Sequence, residues 1–292
     1  MPFPNFLDSS MISEFRACPR KFAWHYLRTL VPRGKASWHL HAGGAYAHAL
    51  DTARRAWAEG LEDWQERGLE ALIWAYGPED SDIEAKSLDR IAHSYALYWH
   101  HFPIDQSPTL QRSGGKPMTE FTFSLPLPID HPETGDPILY CGRFDWVANY
   151  RDTLWVADDK TCTSLGQTWA QRWPLRSQLM GYVYAARAHG LEVSGALVRG
   201  CAMTTTPTFA QVIIPFPDWK LARWYTNLLA TIENILWHYE RDHFPEVFDD
   251  PCIAYGGCEY QSLCTTKDPT PWLSQFEERA WDPLEKVKEQ TL

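Results

Sequence analysis

The chain has 292 residues, 45% hydrophobic and 22% charged, with 27 basic against 37 acidic side chains and a formal net charge of −10. This composition excludes a disordered or fibrous protein, and the length allows one large domain or two small ones around a substantial core. No apolar run reaches the roughly 18 residues of a membrane span, and Met1–Asp8 lacks the basic start and apolar stretch of a signal peptide, so a soluble protein in a reducing, cytoplasmic setting is expected.

In chain order, Ser10–Glu14 reads as a helix start with Ser10 or Ser13 as cap, and Phe15, Phe22, Tyr26 and Leu30 continue at helical spacing past a break at Pro19. Alanine-rich residues 42–58 predict a second helix, carrying His48. Leu61, Trp64, Leu69, Leu72 and Ile73 suggest a third, and Leu88, Ile91, Tyr95 and Trp99 mark a fourth over about 83–101. Residues 111–116 read as a loop. The period then changes to two: strands are expected from Phe121, over 138–150 and over 153–161, with a turn at 130–136. A helix over 174–189, strands over 193–203 and 209–216, and an amphipathic helix over 219–239 complete the pattern. This order predicts an α/β fold, a mixed central β-sheet flanked by helices, behind a helical N-terminal part.

Charge is unevenly spread. Residues 1–58 carry eight basic side chains, among them Arg16, Arg20, Lys21, Lys35, Arg54 and Arg55, against three acidic ones; residues 59–110 carry eleven acidic and three basic. A basic segment on an acidic body could track phosphates, or these could be ordinary solvated helix faces. In the strand pair, alternation puts Cys141, Arg143, Asp145 and Val147 on one face. It also puts Asp158 and Lys160 together, roughly 6.5–7 Å apart along the strand, with Asp159 opposite. Two carboxylates and a lysine around one point suit a hard divalent cation and an anionic substrate; a cross-strand salt bridge at a sheet end fits the same residues. A one-residue slip would turn Asp159 inward instead. Glu120 is a further candidate.

Gly142-Arg-Phe-Asp145 followed by Val156-Ala-Asp-Asp-Lys160-Thr resembles the core of the PD-(D/E)XK nuclease superfamily, in particular its RecB-like branch, which includes AddB-type and CRISPR-adaptation exonucleases and phage-type members. Four more stretches follow in that branch's order. Ser13-x4-Cys18-Pro-Arg-Lys-Phe22 is similar to its N-terminal cysteine helix, and Gly44-Ala-Tyr-Ala-His48 to its histidine motif. Gln178-Leu-Met-Gly-Tyr182 is similar to its Gln-x3-Tyr helix, and Cys252-x5-Cys258-Glu-Tyr-x3-Cys264 to its cysteine cluster. Phe144 stands where the superfamily name has proline, Asp158 where glutamate is more frequent, and the first cysteine gap is five residues where two is usual.

The resemblance implies a restriction-endonuclease-like core over residues 1–264, with a helical insertion at about 59–110, cluster-binding ends at about 10–30 and 250–266, and a tail over 265–292. It implies Mg²⁺ or Mn²⁺ held by His48, Asp145, Asp158 and the carbonyl of Asp159, the imidazole favouring Mn²⁺. Lys160 would orient water or neutralise phosphate charge, and Gln178 and Tyr182, on one helix face, would hold the lysine or the DNA backbone. Arg20, Lys21 and Arg143 are candidate DNA contacts. The implied activity is that of a DNA exonuclease on single strands or ends, in recombination, repair or phage DNA processing, with a recombination or CRISPR-type protein as a conceivable partner.

Seven cysteines, an odd number, argue against a disulfide framework. Cys252, Cys258 and Cys264 with Cys18 as fourth thiolate would hold a [4Fe–4S] cluster as a C-terminal cysteine clasp, or Zn²⁺, which spacing cannot separate. Cys141, Cys162 and Cys201 are expected as small buried hydrophobes. Trp24, Trp38 and Trp57 are candidates to stack on single-stranded bases. Competing readings are a catalytically silent scaffold of the same fold that binds DNA or a partner, and a zinc-stabilised binding module.

Overall fold

Three long strands in the middle of the chain organise the rest. The structure is a computed structural model that describes residues 2–34, 37–79, 81–112, 115–248 and 250–282. Lys35, residues 113–114 of the expected loop and residues 283–292 of the tail lie outside the described residues.

The N-terminal elements are β1 (Phe6–Leu7), α1 (Ser9–Ala17), α2 (Pro19–Phe22) and β2 (Leu30–Pro32). Three longer helices follow, α3 (Trp38–Ala58), α4 (Trp64–Tyr76) and α5 (Leu88–His101). Then come β3 (Thr119–Asp130), β4 (Pro137–Tyr150), β5 (Thr153–Cys162), α6 (Gln167–Gln171), α7 (Ser177–Ala188), β6 (Gly195–Ala202) and β7 (Thr208–Pro215). The chain finishes with α8 (Asp218–Glu240), α9 (Asp250–Ile253), α10 (Gln261–Cys264) and β8 (Phe276–Glu278). The main sheet has the order β1-β4-β5-β6-β7, with β3 on β4. It is mixed: β4–β5 and β6–β7 are antiparallel, while β5–β6 is parallel. The parallel pair needs a crossover, and α7 lies in it. This is the mixed sheet flanked by helices that the residue pattern predicts.

Two compact units partition the chain, one of Met1–Lys35, Thr122–Gly142 and Ala222–Leu292, the other of Ala36–Phe121 and Arg143–Leu221. In the second, α3 starts at Ser37, whose side chain accepts from the amide of His39, and buries Ala42, Ala45, Ala49, Ala53 and Ala56 on one stripe. Such small residues let a neighbour approach closely. On α4, a Cβ added to Gly68 would stand 2.9 Å from the carbonyl oxygen of Ala49. In the first unit, β2 and β8 pair antiparallel, and Trp24, Leu30, Tyr260, Leu263 and Phe276 form a small core.

Several local expectations are corrected. The cap of α1 is Asp8, not Ser10 or Ser13; its carboxylate accepts from the amides of Ser10 at 2.7 Å and Met11 at 2.8 Å. The helical spacing through Leu30 does not continue as one helix: residues 23–27 form a π turn, Thr29 has a positive φ, and Leu30 is in β2. The helices expected from 83 and 174 begin at Leu88 and Ser177, each after a short 3-10 turn. No helix among the described residues is long and apolar enough to cross a membrane.

Candidate active site

The β4–β5 register sets the site. Trp146 faces Ala157 and Val147 faces Val156, so the next step along the ladder brings Asp145 to Asp158 and Asp159. The Asp159 amide donates to Asp145 Oδ2 at 2.9 Å. Lys160 Nζ lies 2.9 Å from Asp158 Oδ1 and 2.8 Å from Oδ2. Asp158 is only 2% exposed, and its Oδ2 is buried without an aligned hydrogen-bond donor. Burial, then the charge of Asp158, pushes the Asp145 carboxyl well above the usual carboxylate range. Burial also raises Asp158, against the pull of Lys160. The Lys160 ammonium is opposed by burial, yet the two carboxylates outweigh it and raise its pKa.

Asp159 turns the other way, so the strand has not slipped. Its carboxylate accepts from Arg54 Nη2 at 2.7 Å, Tyr98 OH at 2.6 Å and Trp146 Nε1 at 3.1 Å. The Arg54 guanidinium also lies 4.1 Å from the Trp146 ring centre. Burial opposes its charge, but Asp159 outweighs burial and raises its pKa. From β6, Arg199 extends the network to Tyr98 OH at 3.3 Å, Ser107 Oγ at 2.6 Å and Gln211 Oε1 at 2.9 Å. Sequence reasoning missed this network. One signal was available: Arg54 continues the buried Tyr46–Leu50 stripe of α3, a charge where the helix pattern calls for an apolar side chain.

The other predicted site residues divide. Gln178 donates to Tyr182 OH at 2.9 Å, and the Tyr182 ring lies 6.1 Å from that of Phe144. Arg143 is ion-paired with Glu120 at 2.7 Å. His48 does not join the carboxylates. It is exposed, lies 6.1 Å from the Trp74 ring on α4 and lines a groove with Thr52, Arg55 and Glu59. Ala47 lines the cleft that holds Lys160, and one further helical residue rotates His48 by about 100°. Among the described residues no three His, Cys, Asp or Glu side chains converge as a metal-binding group. The residues that do fit a hard cation are Asp145 and Asp158: a half-buried and a buried carboxylate side by side, whose mutual repulsion a cation would relieve.

The cysteines lie in the other unit. Cys18 is buried and Cys252, Cys258 and Cys264 are half-buried. Burial, Glu246, Cys18 and Cys258 push the Cys264 thiol up to about 11, and burial also raises Cys258, with Cys18 contributing. Cys252 joins through its backbone, its carbonyl accepting from the Cys258 amide at 2.9 Å. Protein contacts already join these ends: Lys21 pairs with Glu259 at 3.0 Å, Arg20 with Glu246 at 3.2 Å, and Tyr260 OH donates to the Leu30 carbonyl at 2.7 Å. Arg20 and Lys21 are thus engaged with acids. Of the three tryptophans proposed for base stacking, Trp24 is buried and Trp38 and Trp57 are half-buried. Trp24 is in the small core under Arg28, and Trp38 and Trp57 pack on the α3–α5 core.

Two outcomes follow from these burials. Arg54→Met leaves Asp159 buried without its ion-pair partner and lowers unfolding stability in urea by about 3–5 kcal/mol; adding Asp159→Asn recovers much of that loss. Asp145 carries a folded-state pKa raised above its unfolded value of about 4, so stability falls as pH rises from about 4 towards the folded value. Metal-free Asp145→Asn is therefore more stable than wild type at pH 8, and the gap closes below about pH 4 in thermal melts.

No curated protein matches the chain. Among solved structures it is similar to a conjectured exonuclease from Eubacterium rectale, at 12% identity and TM-score 0.47, covering 83% of this chain and 84% of that one. It is also similar to SSO0001, at 16% identity and TM-score 0.27, covering 76% and 86%. The model of the PD-(D/E)XK nuclease superfamily matches residues 9–265, nearly the whole span from the α1 cap to the last cysteine, and the chain belongs to that superfamily.

Proposed function

We propose that this chain is a divalent-metal-dependent DNA nuclease, acting as an exonuclease on single strands or ends. The observation that carries this reading is the convergence of Asp145, Asp158 and Lys160 at the β4–β5 pair. Buried carboxylates with raised pKa values beside a fixed cation are typical of catalytic sites rather than of sheet packing. Asp145 and Asp158, with the carbonyl of Asp159, would hold Mg²⁺ or Mn²⁺; an all-oxygen set suits either. The ion, when bound, supplies Lewis-acid stabilisation of phosphate charge and lowers the pKa of water. Lys160 neutralises the charge that builds on the phosphoryl oxygens as water adds to phosphorus and the P–O bond to the departing sugar breaks. The Asp159 amide keeps Asp145 oriented, and the Arg54 network keeps Asp159 from turning.

A second reading, a silent scaffold that binds DNA, is favoured by two observations: the Asp158–Lys160 pair is already a closed ion pair, and His48 faces elsewhere. Degradation of labelled single- and double-stranded DNA with Mn²⁺ or Mg²⁺ separates the two. Wild type degrades DNA and Lys160→Ala is slower by about 10²–10³-fold, the range for removing one preorganised charge. Equal behaviour of the two proteins would remove the catalytic assignment.

The four cysteines are proposed as the seat of a [4Fe–4S] cluster, with Zn²⁺ the alternative. Cys18, Cys258 and Cys264 lie close enough to feel one another's charge, and as thiolates they would suit a soft cation that takes the place of their protons. Protein purified without oxygen is expected to be brown and to contain iron by elemental analysis; Cys264→Ala loses both, and colourless protein with stoichiometric zinc assigns the alternative.

A further inference from the structure

Lys86 stands apart from the site described above. It lies in the turn before α5, is only 3% exposed, and its ammonium reaches Met203 Sδ at 3.7 Å. It has no carboxylate partner among the described residues. Burial lowers its pKa. A buried cation opposite a thioether is costly, because neither Coulomb attraction nor strong hydrogen bonds replace its lost hydration.

Its position suggests why the fold carries that cost. Lys86 lines a cleft of about 450 Å³ together with Lys160, Thr161 and Gly43. A second cleft of about 340 Å³ shares His39, Lys86 and Thr163 with the first and continues to Arg90 and Thr205. Lys160, Lys86 and Arg90 therefore succeed one another along one trough. The acids beside it are engaged: Asp159 by Arg54 and Glu84 by Arg90 at 2.7 Å. Gly44 leaves the rim open, with nothing within 4 Å of where a Cβ would stand. Lys160 is paired with Asp158 and Arg90 with Glu84, which leaves Lys86 as the trough's cation without a carboxylate among the described residues and the point at which an anion gains most.

We infer that Lys86 binds a non-scissile phosphodiester of the substrate strand, which runs along this trough from Lys160 past Lys86 towards Arg90. The inference rests on the nuclease reading for its substrate, while the subsite itself is defined by the lysine and the two clefts. A phosphate at Lys86 supplies the missing counter-charge, and the strand is held in register with the scissile bond.

The test is binding without cleavage. Anisotropy of a labelled single-stranded oligodeoxynucleotide of about 15 nucleotides is measured in EDTA across a salt series for wild type, Lys86→Met and Lys86→Arg. Lys86→Met is expected to bind about 3- to 10-fold more weakly at low salt, with a log–log salt slope smaller by about 0.7, one phosphate's share for a single strand. Lys86→Arg keeps the wild-type slope. Lys86→Met also melts at or above the wild-type temperature, because it removes an unpaired buried charge; a lower melting temperature with lost binding in both variants would assign Lys86 to packing and overturn the proposal. Unchanged affinity and slope in Lys86→Met overturn the subsite while DNA degradation by wild type keeps the nuclease reading. The same unchanged affinity, with wild type stabilised by inorganic phosphate alone, overturns the strand assignment. Wild type that binds the oligonucleotide with the Lys86-dependent slope but never cuts when metal is added overturns the nuclease reading alone; wild type that binds no oligonucleotide overturns the subsite, and degradation with metal decides the nuclease reading.

Discussion

Two carboxylates buried side by side against one ammonium are the constraint on which the site depends. In water such a triplet would spread apart. Here strand pairing fixes Asp145 on β4 and Asp158 and Lys160 on β5, and burial strengthens both their repulsion and their attraction to the lysine. Asp159 makes the arrangement rigid from behind. Its amide serves Asp145, while its carboxylate is gripped by Arg54, Tyr98 and Trp146. One residue thus couples the front of the strand to a network on its back, and the network fixes the backbone between the two groups proposed to act on phosphate.

Much of this geometry was legible in the residues. Period-two alternation placed Asp158 and Lys160 together and Asp159 opposite, because in a strand the next side chain must point away. Long amphipathic stretches such as α5 and α8 were equally readable. What was hidden depends on distant partners. β1, β2 and β8 are two or three residues each, too short for a period to show. The helical spacing of Phe15, Phe22, Tyr26 and Leu30 misled, since Leu30 finds a strand partner 248 positions on, at Glu278. His48 shows the same limit on the functional side. The resemblance named it as a metal ligand, but one helical step separates the face that meets the cleft from the face that meets α4. Arg54 could have been found, being a charge on a buried stripe; its partner Asp159 could not.

Net charge alone misleads about partners. An acidic chain should repel nucleic acid at long range, yet screening confines that repulsion to about 8–10 Å in physiological salt. Close contact is then decided by local sign. The segment richest in basic residues, near Arg20 and Lys21, is largely occupied by Glu246 and Glu259. The acidic segment 59–110 instead contributes Lys86 and Arg90 to the trough beside Lys160. Charge counted along the chain and charge presented at a surface are different quantities.

Three places in the fold share a physical signature: titratable groups beside their own kind, or without a carboxylate partner among the described residues, held partly or wholly out of water. They are the Asp145–Asp158 pair, the Lys86 ammonium and the Cys18–Cys258–Cys264 thiols. A sequence selected for stability alone would replace each with apolar side chains of similar volume, commonly at no loss and often at a gain. Each corresponds to a different proposed ligand: a hard cation for the carboxylates, a phosphate for the lysine, a soft metal for the thiols. Ion pairs within the protein relieve ordinary buried charges, as Asp159 and Arg54 relieve each other. Lys160 relieves Asp158 but leaves Asp145 beside a second carboxylate, and Lys86 meets a thioether where Asp159 meets an arginine. The proposed cation, phosphate and thiolate sites would each remove one of these mismatches.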